Sequence, residues 1–65
     1  MKDLPLAPIK RLMKKAGAER VSDDAVEAMR DLLEERAVEV TDAADTFAQH
    51  AGRKTIQEED VNAAT

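Results

Sequence analysis

A chain of 65 residues with net charge −4, one Phe, no Trp or Tyr and no Cys is one domain, at a size where a single hydrophobic core barely suffices. Without cysteine, disulfide staples are excluded and structural zinc nearly so, and with a single aromatic residue the core must be small and aliphatic, which favours close helix packing over a sheet sandwich. No apolar run reaches membrane-span length and no signal-peptide hydrophobic region opens the chain, so a soluble intracellular protein with no membrane partner is expected.

Pro5 and Pro8 push Leu4 and Ala7 away from helical angles, so Met1 to Ala7 is expected as an extended lead-in. Pro8 then suits the first helical position, and Ile9, Leu12, Met13 and Ala16 supply the apolar stripe of a short helix over residues 8–16, ending at Gly17. That stripe is expected to pack on the next helix. Lys10, Arg11, Lys14 and Lys15 lie on the other side as a compact cationic surface. Gly17 to Val21 makes the first connection, with Arg20 extended just before Ser22.

The only glycines are Gly17 and Gly52 and the only prolines Pro5 and Pro8, so nothing between the glycines interrupts a helix. Ser22 caps it, Asp23 and Asp24 set negative charge against its positive end, and Gly52 fits the left-handed position beyond its C-terminus, which places the helix at residues 23–51. Ala25, Met29, Leu32, Leu33, Val40, Ala44, Phe47 and Ala51 recur at three and four residues, with Glu27, Asp31, Glu34, Asp42 and Asp45 roughly opposite. Such a helix is about 43 Å long, against a radius of gyration of about 11 Å for a compact chain of this size. The flanking segments are too short to cover its stripe. A second chain crossing antiparallel is expected to do so, making an obligate dimer with Met29, Leu32, Leu33, Arg36, Val40, Ala44 and Phe47 at the interface. Arg36 interrupts the stripe near the dimer axis, where like charges meeting across the dyad need Glu partners.

Gly52 to Thr55 forms the second connection, and Thr55 with Glu58 fits a capping box that opens a third helix over residues 56–64. Charge is segregated along the chain: residues 1–22 carry +4, residues 23–46 carry −7 and residues 47–65 carry −1. Cations therefore gather at the first helix and at both loops. In an antiparallel dimer the first loop of one chain comes near the second loop of its partner, bringing Arg20 towards Arg53, Lys54 and Thr55, beside helix N-termini whose N–H groups point at an anion. His50, the only histidine, has no Cys or second His at metal-ligand spacing, and the Ser and Thr residues read as caps. No enzyme, metal, cofactor or small-molecule substrate is expected.

Three segments, Leu4-Pro5-Leu6-Ala7-Pro8-Ile9, Ala16-Gly17-Ala18-Glu19-Arg20-Val21-Ser22-Asp23-Asp24-Ala25 and His50-Ala51-Gly52-Arg53-Lys54-Thr55-Ile56 with Glu59-Asp60-Val61, closely resemble an archaeal histone over nearly the whole chain. The resemblance implies an all-α histone fold, a single domain over residues 1–65 that forms an intertwined handshake dimer. It implies that Arg20 enters the DNA minor groove, held by Thr55 of the paired loop, that Arg53 and Lys54 meet phosphates, and that Arg11 and Lys14 contact the backbone from the first helix. Together with Lys10, Lys15 and Ser22 these residues make up a set that positions double-stranded DNA and favours bendable sequences without reading base edges. It further implies that Arg53 pairs with Asp60 of its own chain, fixing the second loop. His50 then pairs with Asp60 of a neighbouring dimer, in a stacking contact that includes Phe47 and Ala63. The implied partners are DNA and a second histone chain, in a homodimer or a heterodimer, and the implied location is the chromosome in the cytoplasm of an archaeon. The chain departs from the family in Phe47, which replaces an aliphatic residue, in Ala63 and Gln49, which stand where a larger apolar and a basic residue are common, and in its acidity. A DNA-compacting histone is the first reading. The second is a histone-fold dimerisation module that pairs with another histone or a transcription protein and touches DNA weakly.

Overall fold

The computed structural model describes residues 2–65; Met1, the first residue of the expected lead-in, lies outside the described residues. Three helices follow in short, long, short order, α1 (Leu6–Lys15), α2 (Asp23–His50) and α3 (Glu58–Ala64), with no strand among the described residues. This is the all-α class expected. No helix among those residues is long and apolar enough to cross a membrane. Two compact units divide the chain, Met1–Glu35 and Arg36–Thr65.

In the first unit α1 begins at Leu6, earlier than the expected start at Pro8, with Pro5 extended at the cap (φ −70°, ψ 150°). Pro8 is thus the third helical residue, and Ala7 is helical although it precedes a proline. The missing N–H of Pro8 is harmless there, because the first four N–H groups of a helix have no intrahelical acceptor. The helix stops at Lys15 and is closed by a left-handed Gly17 (φ 116°). The Gly17 N–H donates to the Lys14 carbonyl (3.0 Å) and the Ala18 N–H to that of Met13 (3.3 Å), the paired closure of a Schellman motif. Ile9 is buried, but Leu12 is 59% exposed and Ala16 is exposed too, so only part of the expected α1 stripe is covered within the chain.

Where α2 opens, the Ser22 Oγ accepts the Ala25 N–H at 3.2 Å and the Ser22 carbonyl accepts that of Val26 at 3.1 Å. Val26, Arg30 and Glu34, four residues apart on one helix face, are all buried. Glu34 was expected towards solvent. Its Oε2 instead accepts the backbone N–H groups of Asp3 and of Leu4 (3.0 Å), so the N-terminal segment folds over it and leaves it 6% exposed. Its Oε1 is buried with no hydrogen-bond partner.

In the second unit α2 ends at His50 and repeats the closure of α1: Gly52 (φ 73°) donates to Gln49 and Arg53 to Ala48, both at 2.9 Å. The third helix starts at Glu58 rather than residue 56, and Gln57 takes the cap position in place of Thr55. The reason is Asp60, whose Oδ2 accepts the Gln57 N–H at 2.8 Å, a carboxylate three residues beyond the cap that fixes where the helix begins. Ala44, expected at the dimer interface, is wholly buried inside its own chain, as is Ala48. Ala44 therefore has no surface left for a partner.

Among the described residues the buried apolar positions are Ile9 and Val26 in the first unit and Ala44 and Ala48 in the second. Burial of Ile9 or Val26 stabilises by about 1.5–3 kcal/mol and an alanine by less, far short of the entropy lost on ordering a chain of this size. Leu32, Val38, Phe47 and Val61 remain exposed, and Met29, Leu33 and Val40 are half-buried.

Candidate nucleic-acid interface

Two surfaces carry the cations, one in each unit. On α1, Arg11, Lys14 and Lys15 are exposed and Lys10 is half-buried; Lys14 and Lys15 occupy the last turn, where they also oppose the negative end of the helix dipole. Arg20 is exposed in the connection that Gly17 opens. Ser22, next along, is exposed as well, and because its Oγ accepts from Ala25 its hydroxyl proton stays free to be donated to an anion.

The second surface is the loop from Gly52 to Gln57. Arg53 lies across it as a clamp. Its Nη1 donates to Asp60 Oδ2 (2.8 Å) and to the Thr55 carbonyl (3.1 Å), and its Nη2 donates to Asp60 Oδ1 (3.0 Å) and, longer, to Glu59 Oε1 (3.4 Å). All four terminal N–H groups are thereby engaged, and only the Nε–H is left over. The bidentate bond from Arg53 is the main reason the Asp60 carboxyl is held below the usual carboxylate range; the Gln57 N–H adds to it, while burial works the other way. Arg53 is correspondingly held more firmly protonated, chiefly through its hydrogen bond to Asp60. Lys54 and Thr55, by contrast, present exposed side chains.

Three of the ten cations are thus committed within the chain: Arg30 to Asp31 (3.2 Å), Arg36 to Glu39 (3.4 Å) and Arg53 to Glu59 and Asp60. Among the described residues Lys2, Lys10, Arg11, Lys14, Lys15, Arg20 and Lys54 form no ion pair. Six of these seven are residues singled out from the sequence for DNA. The seventh expected cation, Arg53, serves the loop itself.

Phe47, His50 and Ala63 are exposed, as a contact between dimers requires. Asp60 is not. At 4% exposure, with Arg53 on both oxygens and Gln57 on one, it has little to offer the His50 of a neighbouring dimer. Sequence reasoning missed Glu34 and Gln57. The four-residue spacing from Val26 through Arg30 to Glu34 was the available signal for the first, and the Asp three residues after Gln57 for the second. No group of three or more His, Cys, Asp or Glu side chains among the described residues is arranged to hold a metal ion.

A family model described as histone-like transcription factor (CBF/NF-Y) and archaeal histone matches residues 2–65. Over 64 residues the chain is 59% identical to an archaeal histone of Thermococcus zilligii, one of the HAN1 chains, in an alignment covering 98% of this chain and 96% of that one. It is 48% identical, with the same coverage, to the probable archaeal histone 3 of Methanocaldococcus jannaschii. The DNA-binding protein HmvA of that organism is 38% identical over 58 residues, which are 89% of this chain and 60% of the relative.

Proposed function

The chain belongs to the family of histone-like transcription factors (CBF/NF-Y) and archaeal histones, and we propose that it works as an archaeal histone, whose homodimers bind double-stranded DNA without base-sequence specificity and bend it for chromatin compaction. The partition of its cations carries this reading. Unpaired cations at α1 and both loops keep their charge for phosphates, whereas those on α2 are neutralised where they stand. Arg20 is assigned to the minor groove, supported by Thr55 of the partner's loop, and Lys10, Arg11, Lys14, Lys15 and Lys54 to phosphates, with Ser22 adding a hydroxyl. Arg53 has two roles, clamping the loop that presents Lys54 and, through its unengaged Nε–H, meeting phosphate. Dimers form by antiparallel crossing of two α2 helices through Met29, Leu32, Leu33, Arg36, Val40 and Phe47, and stack on DNA through Phe47, His50 and Ala63.

The test is a salt titration of duplex binding. Each neutralised phosphate releases counterions, so log affinity falls linearly with log salt, and Lys54→Ala is expected to shallow the slope by about one unit. Arg20→Ala is expected to cost more affinity than Lys54→Ala, because a groove-bound arginine is desolvated. A wild-type affinity that does not respond to salt overturns the reading. One observation favours the second reading, a dimerisation module with weak DNA contact: Asp23, Glu27, Asp31 and Glu35 form an exposed acidic row stepping four residues along α2. Weak binding at every salt concentration, alongside tight pairing with another histone-fold chain, is the outcome that selects it.

A further inference from the structure

We propose that Arg36 and Glu39 form a cross-chain ion network at the twofold axis of the dimer, and that this network selects a second copy of this chain as the partner. The inference rests on the dimer reading above. The midpoint of α2 falls between Arg36 and Ala37, so in an antiparallel crossing of two such helices these residues sit at the axis. On the same face one turn earlier Leu32 is 59% exposed, so the surface beside Arg36 is open and partly apolar. Into this surface the chain places one ion pair, Arg36 Nη1 to Glu39 Oε2 at 3.4 Å, with side chains 58% and 57% exposed. A pair that open contributes little while it faces water, and a guanidinium there is out of place unless the seam supplies carboxylates.

Symmetry supplies them. Along the helix Arg36 is three residues, about 4.5 Å, from its own Glu39; antiparallel crossing brings the partner's Glu39 to within about two residues, about 3 Å, of the same axial level. Each guanidinium therefore lies between two carboxylates and each carboxylate between two guanidinia. The four charges sum to zero, and the repulsion between the two Arg36 side chains is offset by two cross-chain attractions. A partner with apolar residues at these positions leaves Arg36 desolvated and half-paired, which is the more expensive arrangement. A second copy brings the matching carboxylate at the matching spacing.

Charge exchange tests this directly. Arg36→Glu places only acids at the axis of its homodimer and Glu39→Arg only cations, so each variant alone is expected to dimerise at least about tenfold more weakly than wild type, the scale of like-charge juxtaposition. Mixed in equal amounts, the two variants are expected to form a mixed dimer whose dissociation constant returns to within about threefold of wild type, because every charge then faces its opposite across the chains. Sedimentation of differently labelled chains reads both quantities. Recovery on mixing is decisive even if each variant alone is unfolded. Failure to recover, or no weakening in either variant, overturns the network and leaves Arg36 and Glu39 an ordinary intrachain pair. The double variant Arg36→Met, Glu39→Leu, which removes both charges, separates the remaining cases: it is expected to keep the dimer, lose the salt dependence that the network confers and accept an apolar-seamed histone chain as readily as its own copy. Preference for its own copy that survives in this double variant overturns the selection role. A wild-type protein that sediments as a folded monomer instead removes the dimer reading beneath it.

Discussion

The exposed leucine at the middle of α2 gives the sharpest quantitative expectation. Fully burying a leucine side chain stabilises by about 1.5–3 kcal/mol. Since 59% of Leu32 is open in the single chain, covering it in the dimer contributes about 1–2 kcal/mol per chain and, by symmetry, about 2–4 kcal/mol per dimer. At about 1.4 kcal/mol per decade, Leu32→Ala should raise the dimer dissociation constant roughly 30- to 700-fold. The assay is denaturant unfolding at several protein concentrations, because a dimer without a stable folded monomer has a midpoint that rises with concentration. Leu32→Ala should shift that whole series down, while Asp31→Ala, one residue away in the acidic row, should shift it far less. Equal effects at the two positions, or a wild-type midpoint that ignores concentration, refute the claim that a partner covers this face.

Three further outcomes follow from geometry. Asp60 is held below the usual carboxylate range in the folded chain, so its contribution is present above the ordinary carboxylate pKa of about 3.9 and is lost as pH falls through the lowered folded value; the gap in thermal midpoint between wild type and Asp60→Asn should stay constant near neutrality and close in acid, and a gap that persists at the lowest pH contradicts the clamp. Gly52→Ala should cost about 1–2 kcal/mol per chain for its left-handed backbone, read by chemical unfolding, with no steric component because nothing lies within 4 Å of the added carbon. Nuclease protection at rising protein loading should show a ladder of growing fragments that strengthens in Ala63→Leu; one fixed length in both proteins means that dimers bind independently.

Helix order was legible because glycine and proline confine the interruptions and the apolar spacing is helical throughout. Helix starts were less so, and in both short helices the cause is a side chain or ring doing something a spacing rule does not weigh. Pro8 is tolerated as the third residue of α1, where its missing N–H costs no intrahelical bond. Asp60, by accepting the Gln57 N–H, moves the start of α3 past Thr55. Burial was misread at Glu34, and at Ala44 burial was read correctly but the cover was not, for a shared reason: periodicity identifies faces, but which face the short flanking segments cover depends on where those segments run. The unpaired cations were the most readable part of the site, since long cationic side chains in loops and at helix ends have few local acids to meet. The pairing of Arg53 with Asp60 came from the family resemblance and is present in the structure, whereas its further bond to the Thr55 carbonyl has no signature in residue types.

Glu34 has a consequence for how the chain acquires its structure. Its bonds to Asp3 and Leu4 join residues 31 and 30 apart in sequence, whereas the other side-chain hydrogen bonds among the described residues span at most seven. Short-range contacts form quickly and independently, and isolated helices as short as α1 and α3, below about 12–15 residues, are marginal in water. One long-range carboxylate clip is a thin source of cooperativity for a single chain. If the chain dimerises as proposed, ordering is completed on association, and a newly made chain is expected to become resistant to proteolysis only once it has met another. The amount of intact protein would consequently rise more steeply than the rate of synthesis at low expression, a built-in threshold on how much of it accumulates.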